Sequence, residues 1–167
     1  SLVLLNTTGS LPLTPEKLGC VAAMGPIATS KVALEGNYHG TANQYHTVLE
    51  SIRAALPQSR VLYSEGSHLY EEKLEDPGYD GDRLGEVRAM ADMADLVVVV
   101  TGLDETVEGE ELLAQGMEGD KKDLLLPYCQ RRMIEVLCNQ DTPFVIVNLS
   151  GSAIDFGPGN EKAAAII

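Results

Sequence analysis

The chain reads as an α/β protein, one three-layer αβα sandwich around a mostly parallel sheet of about five to six strands. Three observations predict this. Apolar runs of strand length alternate with segments of helical periodicity, the order expected when helices cover the faces of a parallel sheet. One run, Leu96-Val97-Val98-Val99-Val100, is apolar at every position and rich in β-branched residues, as a strand covered on both faces should be. And 167 residues suffice for one sizeable core without requiring a second.

The elements follow in order. Leu18 to Met24 is a first core strand ending at Gly25-Pro26, and Thr47 to Leu56 is an amphipathic helix closed by Pro57. Arg60 to Tyr63 is a second strand. Arg83 to Ala94 is a helix whose apolar positions Leu84, Val87, Met90, Ala91 and Ala94 recur at threes and fours. It leads by a crossover into the Leu96 strand. Pro127 opens a helix with Cys129, Met133, Ile134 and Leu137 on its inner face, and Phe144 to Leu149 is a further core strand after Thr142-Pro143. Lys162 to Ile167 starts as a helix and stops without a cap, while Leu2 to Leu5 is apolar with nothing upstream to pack on. Both ends read as those of a fragment.

Composition excludes several classes of function. Twelve Lys and Arg against 25 Asp and Glu leave a formal charge of −13, which repels phosphate backbones and anionic membranes. Nucleic acid and membrane are therefore not expected partners. Lys121-Lys122 and Arg131-Arg132 are isolated basic pairs and read as solvated surface. The three cysteines, Cys20, Cys129 and Cys138, form neither a CxxC pair nor an even framework, so buried free thiols are expected. The sequons at Asn6 and Asn148 carry little weight, the second lying at the end of an apolar strand. No apolar run approaches the roughly 20 residues that span a bilayer, and the start lacks a basic n-region. The expectation is a soluble chain, cytoplasmic rather than secreted.

Open α/β sheets bind ligands beyond the carboxyl ends of their strands. The Leu96 strand runs through Thr101-Gly102-Leu103 into Asp104, Glu105, Glu108, Glu110 and Glu111, so any chemistry is expected there. Read on residues alone, an acidic loop after a strand is most often a solvated connection. A calcium or magnesium site is disfavoured because the D-x-D-x-D-G spacing is missing. His39, His46 and His68 lack HxH or HxxxH partners. Met90, Met93 and Met133 fall at helical spacing as core filler, and Gly157 to Gly159 is a turn. No GxGxxG or GxxxxGK[ST] is present to hold a nucleotide, so neither cofactor nor metal is expected.

Several segments nonetheless resemble one family. Ser1-Leu2-Val3-Leu4-Leu5-Asn6 precedes Leu11-Pro12-Leu13, then Met24-Gly25-Pro26, then Glu35-Gly36-Asn37-Tyr38-His39-Gly40-Thr41. Ala94 to Leu103, Val107-Glu108-Gly109-Glu110, Gly119-Asp120, Leu126-Pro127 with Gln130, and Val145 to Gly151 follow with sensible gaps. In this order they resemble the C-terminal α/β sandwich of glycoside hydrolase family 3, the β-glucosidases and β-xylosidases, and the Gly-Asn-Tyr-x-Gly segment with the long acidic loop is most similar to the β-xylosidase branch. Two departures concern the loop: Asp120-Lys121 stands where the family usually has Asp-Arg, and Glu111 to Glu118 is longer than in many relatives.

The resemblance implies that residues 1–167 are the C-terminal domain of a larger retaining, exo-acting β-glycosidase whose N-terminal (β/α)8 barrel binds the sugar and supplies the aspartate nucleophile. The substrate would be a β-linked oligosaccharide or aryl glycoside. This domain would contribute the general acid/base carboxylate, which maps to Glu108, with Glu110 as alternate because a two-residue shift preserves the match. Asn37, Tyr38 and His39 would lie near the domain junction, although Asn37 and Tyr38 equally suit a turn in which Gly36 and Gly40 adopt positive φ. Retaining glycosidases need two carboxyl groups about 5 to 5.5 Å apart, so this chain alone is expected to be inactive. The alternative is a non-catalytic scaffold or glycan-contact module of the same fold.

Overall fold

The computed structural model describes residues 2–36, 39–70, 82–108 and 123–167. Six strands form one sheet in the order β1-β6-β5-β4-β2-β3. They are β1 (Asn6–Thr7), β2 (Cys20–Met24), β3 (Arg60–Ser64), β4 (Leu96–Gly102), β5 (Phe144–Leu149) and β6 (Ala165–Ile166). β1 runs antiparallel to β6, and every other pairing is parallel. The helices are α1 (Val32–Glu35), α2 (Val48–Ala55), α3 (Asp82–Met93), α4 (Glu105–Glu108), α5 (Tyr128–Cys138) and α6 (Gly159–Lys162).

Alternation along the central strands separates two apolar layers. Ala22, Met24, Val97, Val99, Phe144 and Ile146 face α3 and α5, which contribute Leu84, Val87, Met90, Met133, Ile134 and Leu137. Val21, Val98, Val100 and Val145 face the opposite way, toward Ile27, Ala28, Leu56, Val48 and Ile52. Thus β4, buried at all seven positions, lies at the centre of a three-layer sandwich, as its uniform apolarity requires. Helix α2 starts where its sequence dictates. Thr47 and Glu50 form a capping box, with Glu50 N–H donating to Thr47 Oγ1 at 3.2 Å and Thr47 N–H to Glu50 Oε2 at 2.9 Å.

Four expectations are corrected. Ala165–Ile166 is a strand and not a helix: α6 ends at Lys162, and the chain then pairs with Val145 and Ile146 on one side and with Asn6 and Thr7 on the other. An alanine-rich stretch favours helix locally, but the edge of β5 offers a hydrogen-bonding partner on one side and β1 on the other. Met93 is 54% exposed, so of the three helical methionines only Met90 and Met133 fill the core. Cys129 is buried, whereas Cys20 and Cys138 are half-buried. Burial pushes the Cys138 thiol above its ordinary value, with Lys162 opposing and Glu135 adding to the shift. Arg131 and Arg132 are half-buried over the ring of Tyr128, each 5.6 Å from its centroid, and are not a simple solvated face. Lys121-Lys122 lies outside the described residues.

Candidate functional site

The carboxyl ends of β2, β4 and β5 converge at one edge of the sheet, where glycines let neighbouring backbones close up. A Cβ on Gly25, after β2, would stand 1.8 Å from the carbonyl oxygen of Val100, and one on Gly102, the last residue of β4, 1.9 Å from that of Leu149. Both residues also hold positive φ, 132° and 147°. No side chain fits at either position, and β4 therefore delivers Leu103 and Asp104 close against β5, with Leu103 N–H donating to Leu149 O at 3.0 Å.

Asp104 starts the acidic turn. Its Oδ1 accepts from Thr106 N–H at 2.9 Å and from the Thr106 hydroxyl at 2.5 Å, while its carbonyl accepts from Val107 and Glu108 N–H. A short polar side chain at this position satisfies donors that begin a helix, so α4 forms directly off the strand. Its two ends are tied to different parts of the fold. At the first residue, Glu105 Oε2 lies 2.6 Å from Nε2 of His39, whose Nδ1 lies 3.7 Å from Glu35. At the last, Glu108 Oε2 accepts from Gly151 N–H at 3.0 Å in the connection after β5. The other oxygen, Oε1, is buried without a hydrogen-bond partner among the described residues. Gly151 suits this approach, because a Cβ there would stand 3.3–3.4 Å from the carboxylate oxygens.

The chain beyond the acidic segment returns to the same connection. Leu125 bridges to Asp155, whose N–H donates to Leu124 O at 2.7 Å, and Leu125 N–H donates to Asp123 Oδ1 at 2.9 Å. Asp155 is itself fixed by Gly157 N–H at 2.9 Å and the Asn160 amide at 2.6 Å, and these donors hold its carboxyl below the ordinary value. Residues 151–155 are therefore a platform on which Glu108 and Leu125 both land.

A buried polar hub holds the exit of β4. Gln130, fully buried on α5, accepts from Gly102 N–H at 3.0 Å and donates through Nε2 to Gly102 O at 2.8 Å and Leu69 O at 2.7 Å. Its neighbour Cys129 donates from Sγ to His68 O at 3.0 Å. One side chain thus clamps the exit of β4 to the loop after β3. At the end of β5, Asn148 accepts from the Thr101 hydroxyl at 3.3 Å and donates to Ser150 Oγ at 2.7 Å, so the second sequon holds an engaged, half-buried amide.

Of the residues expected to carry chemistry, Asp104, Glu105 and Glu108 share this edge, and His39 joins them through Glu105. Glu110, Glu111, Asn37 and Tyr38 lie outside the described residues. Among the described residues, no three His, Cys, Asp or Glu side chains converge as a metal site would require. The sequence reading attached no role to Gly151 or Gln130. A signal for Gln130 was present, since it is a polar residue at the same inward spacing as Met133, Ile134 and Leu137. Gly151 closes a segment that carries the resemblance, but nothing local pairs it with Glu108, which it meets only through the sheet.

Comparison with known proteins points one way. The profile described as the glycosyl hydrolase family 3 C-terminal domain matches residues 2–167. The chain is 33% identical over 153 residues to a probable exo-1,4-beta-xylosidase of Aspergillus terreus, covering 92% of this chain and 18% of that protein. It is 30% identical over 168 residues to beta-D-xylosidase 3 of Arabidopsis thaliana, covering 99% and 19%. Among solved structures, a GH3 exo-beta-xylosidase in complex with a xylobiose aziridine probe superposes with a TM-score of 0.77 at 26% identity, over 98% of this chain and 19% of that one. A β-glucosidase of Erythrobacter marinus superposes with a TM-score of 0.82 at 26% identity, over 98% and 24%. The chain spans about a fifth of the length of the curated relatives it matches.

Proposed function

The chain belongs to glycosyl hydrolase family 3 as its C-terminal domain, and from that premise we propose that it supplies the acid/base glutamate, Glu108, for hydrolysis of terminal, non-reducing β-linked xylosides or glucosides. The site is completed by a (β/α)8 barrel domain in cis, which binds the sugar and carries the nucleophile. The observation that carries this reading is the position of Glu108 just past the carboxyl end of the central strand, on a turn tied at both ends. General acid catalysis needs a carboxyl held in one place relative to the scissile oxygen, and such a turn provides it.

The chemistry needs two carboxyl groups about 5 to 5.5 Å apart. As the nucleophile attacks the anomeric carbon, the acid gives its proton to the leaving oxygen and the glycosidic bond breaks. A covalent glycosyl–enzyme remains. The same glutamate, now a carboxylate, takes a proton from water, whose oxygen attacks the anomeric carbon and releases the nucleophile. Glu108 cannot perform both roles, so the domain by itself turns over no substrate; appreciable hydrolysis of an aryl β-xyloside by the pure chain would overturn that statement.

One observation favours a second assignment within the same reading. Because Glu108 Oε2 is engaged by Gly151 N–H, Glu110 is the acid if Glu108 serves only to anchor the turn. The test uses the polypeptide that joins this domain to its barrel, with Glu108→Ala and Glu110→Ala assayed on an aryl β-xyloside with a good leaving group and on xylobiose. The acid/base variant loses xylobiose cleavage, keeps part of its aryl xyloside turnover, and recovers with azide. If neither variant shows this split, the domain is a non-catalytic scaffold or glycan-contact module.

A further inference from the structure

We propose that His39 is a positioning residue, whose imidazole straps the acidic turn to the segment after α1 and thereby helps hold the Glu108 carboxylate in place. The inference rests on Glu108 as the acid/base residue. A four-residue helix cannot hold its own position, since one turn of backbone hydrogen bonds does not repay the ordering of the chain. Asp104, Glu105 and Glu108 also crowd three carboxylates into five residues and repel one another. External ties must fix the turn. Glu108 has Gly151 N–H. Glu105 has His39, with Nε2 at 2.6 Å, and the second imidazole nitrogen lies 3.7 Å from Glu35 on α1.

Two features set His39 apart from a chance surface contact. It is the one non-glycine among the described residues with positive φ, 50°, a conformation uncommon for an L residue and maintained only where its surroundings demand it. Its N–H closes a turn on Gly36 O at 3.3 Å, and from that turn its side chain, 60% exposed, reaches Glu105 and Glu35. With Nε2 on Glu105 and Nδ1 beside Glu35, one ring reaches two carboxylates on separate elements. Exposure limits the magnitude. A pair this open is worth at most a factor of about five.

The first arm of the test is amide hydrogen exchange, read by NMR on the chain itself for His39→Asn, His39→Arg and Glu105→Gln. Asparagine tolerates the left-handed backbone but cannot reach Glu105 and Glu35 together. The expected result is roughly three- to fivefold faster exchange at Gly151 in His39→Asn and Glu105→Gln, with recovery toward wild type in His39→Arg and no change at Val99 or Ile146. Unchanged exchange at Gly151 overturns the proposal, as does equal acceleration at the core amides, which would signal lost stability and not a released turn. In the second arm, on the barrel-containing polypeptide, His39→Asn lowers kcat/KM for xylobiose by a similar factor and spares the aryl xyloside. If exchange changes and that discrimination is missing, the strap stands and the acid/base assignment of Glu108 falls.

Discussion

Replacing Gln130 by methionine, which has similar volume and no hydrogen-bonding groups, isolates the worth of the hub beneath the β4 exit. Wild-type Gln130 satisfies Gly102 N–H, Gly102 O and Leu69 O from a side chain with no solvent exposure. Methionine leaves these three backbone groups unpaired, two of them in fully buried surroundings and one partly so. An unmade buried hydrogen bond costs about 1–3 kcal/mol, and the volume-conserving swap adds less than about 1.5 kcal/mol. With all three groups at the low end of that range, a destabilisation of roughly 3–5 kcal/mol is expected as a minimum. With a urea m-value of about 2 kcal/mol/M for a domain of this size, the midpoint drops by roughly 1.5–2.5 M at constant m. Gln130→Glu sharpens the assay. At neutral pH its carboxylate faces the carbonyl oxygens of Gly102 and Leu69 and is worse than methionine. As pH falls the carboxyl gains a proton it can donate, and part of the loss is recovered. A Gln130→Met midpoint within about 0.5 M of wild type, or no acid recovery in Gln130→Glu, refutes the idea that this amide holds the strand exit.

Further outcomes follow from the same geometry. Gly102→Ala and Gly25→Ala each force a Cβ to within 2 Å of a neighbouring strand's carbonyl oxygen at a positive φ, so each costs more than about 3 kcal/mol in denaturant melts, and a smaller value would show that β4 parts locally from β5 at Gly102 or from the end of β2 at Gly25. Met133→Ala, at a side chain with no exposure, lowers stability by about 2–5 kcal/mol, whereas Met93→Ala at 54% exposure changes it by less than about 0.5 kcal/mol. The Thr47 backbone N–H and then the Thr47 side chain hold the Glu50 carboxyl below its ordinary value, and Gly157 N–H and Asn160 do so for Asp155. A carboxyl depressed by folding stabilises above its unfolded pKa and loses that contribution as pH falls through the folded one. Glu50→Gln and Asp155→Asn should therefore flatten the acid limb of stability below about pH 4–5, and an acid limb identical to wild type counts against both. In the folded chain, Cys138 alkylation should accelerate with pH later than in urea, because burial raises the thiol.

Local pattern made the central strands legible. The apolar run at Leu96, the amphipathic pattern from Thr47 to Leu56 and the periodicity from Arg83 and from Pro127 each encode one element within a dozen residues, and each element starts or ends within two residues of its expected bounds. Such signals work because burial on both faces or on one stripe dictates residue type directly. The edge of the sheet was not legible. β1 and β6 are two residues each, and neither has a period of its own. Ala165 is strand only because Thr7 and Val145 stand on either side of it.

The acidic turn divides in the same way. Its sequence determined where the carboxylates leave the sheet, since a buried strand followed by Thr101-Gly102-Leu103-Asp104 must end at the surface, and it supplied one of the ordered segments that together carry the family resemblance. It could not determine which carboxylate meets which partner. Glu108 finds Gly151 across 43 positions, and Glu105 finds His39 across 66, a separation spanned by α2, β3, α3 and β4. Contacts of that range depend on strand order, and strand order is decided by how the two apolar faces pack.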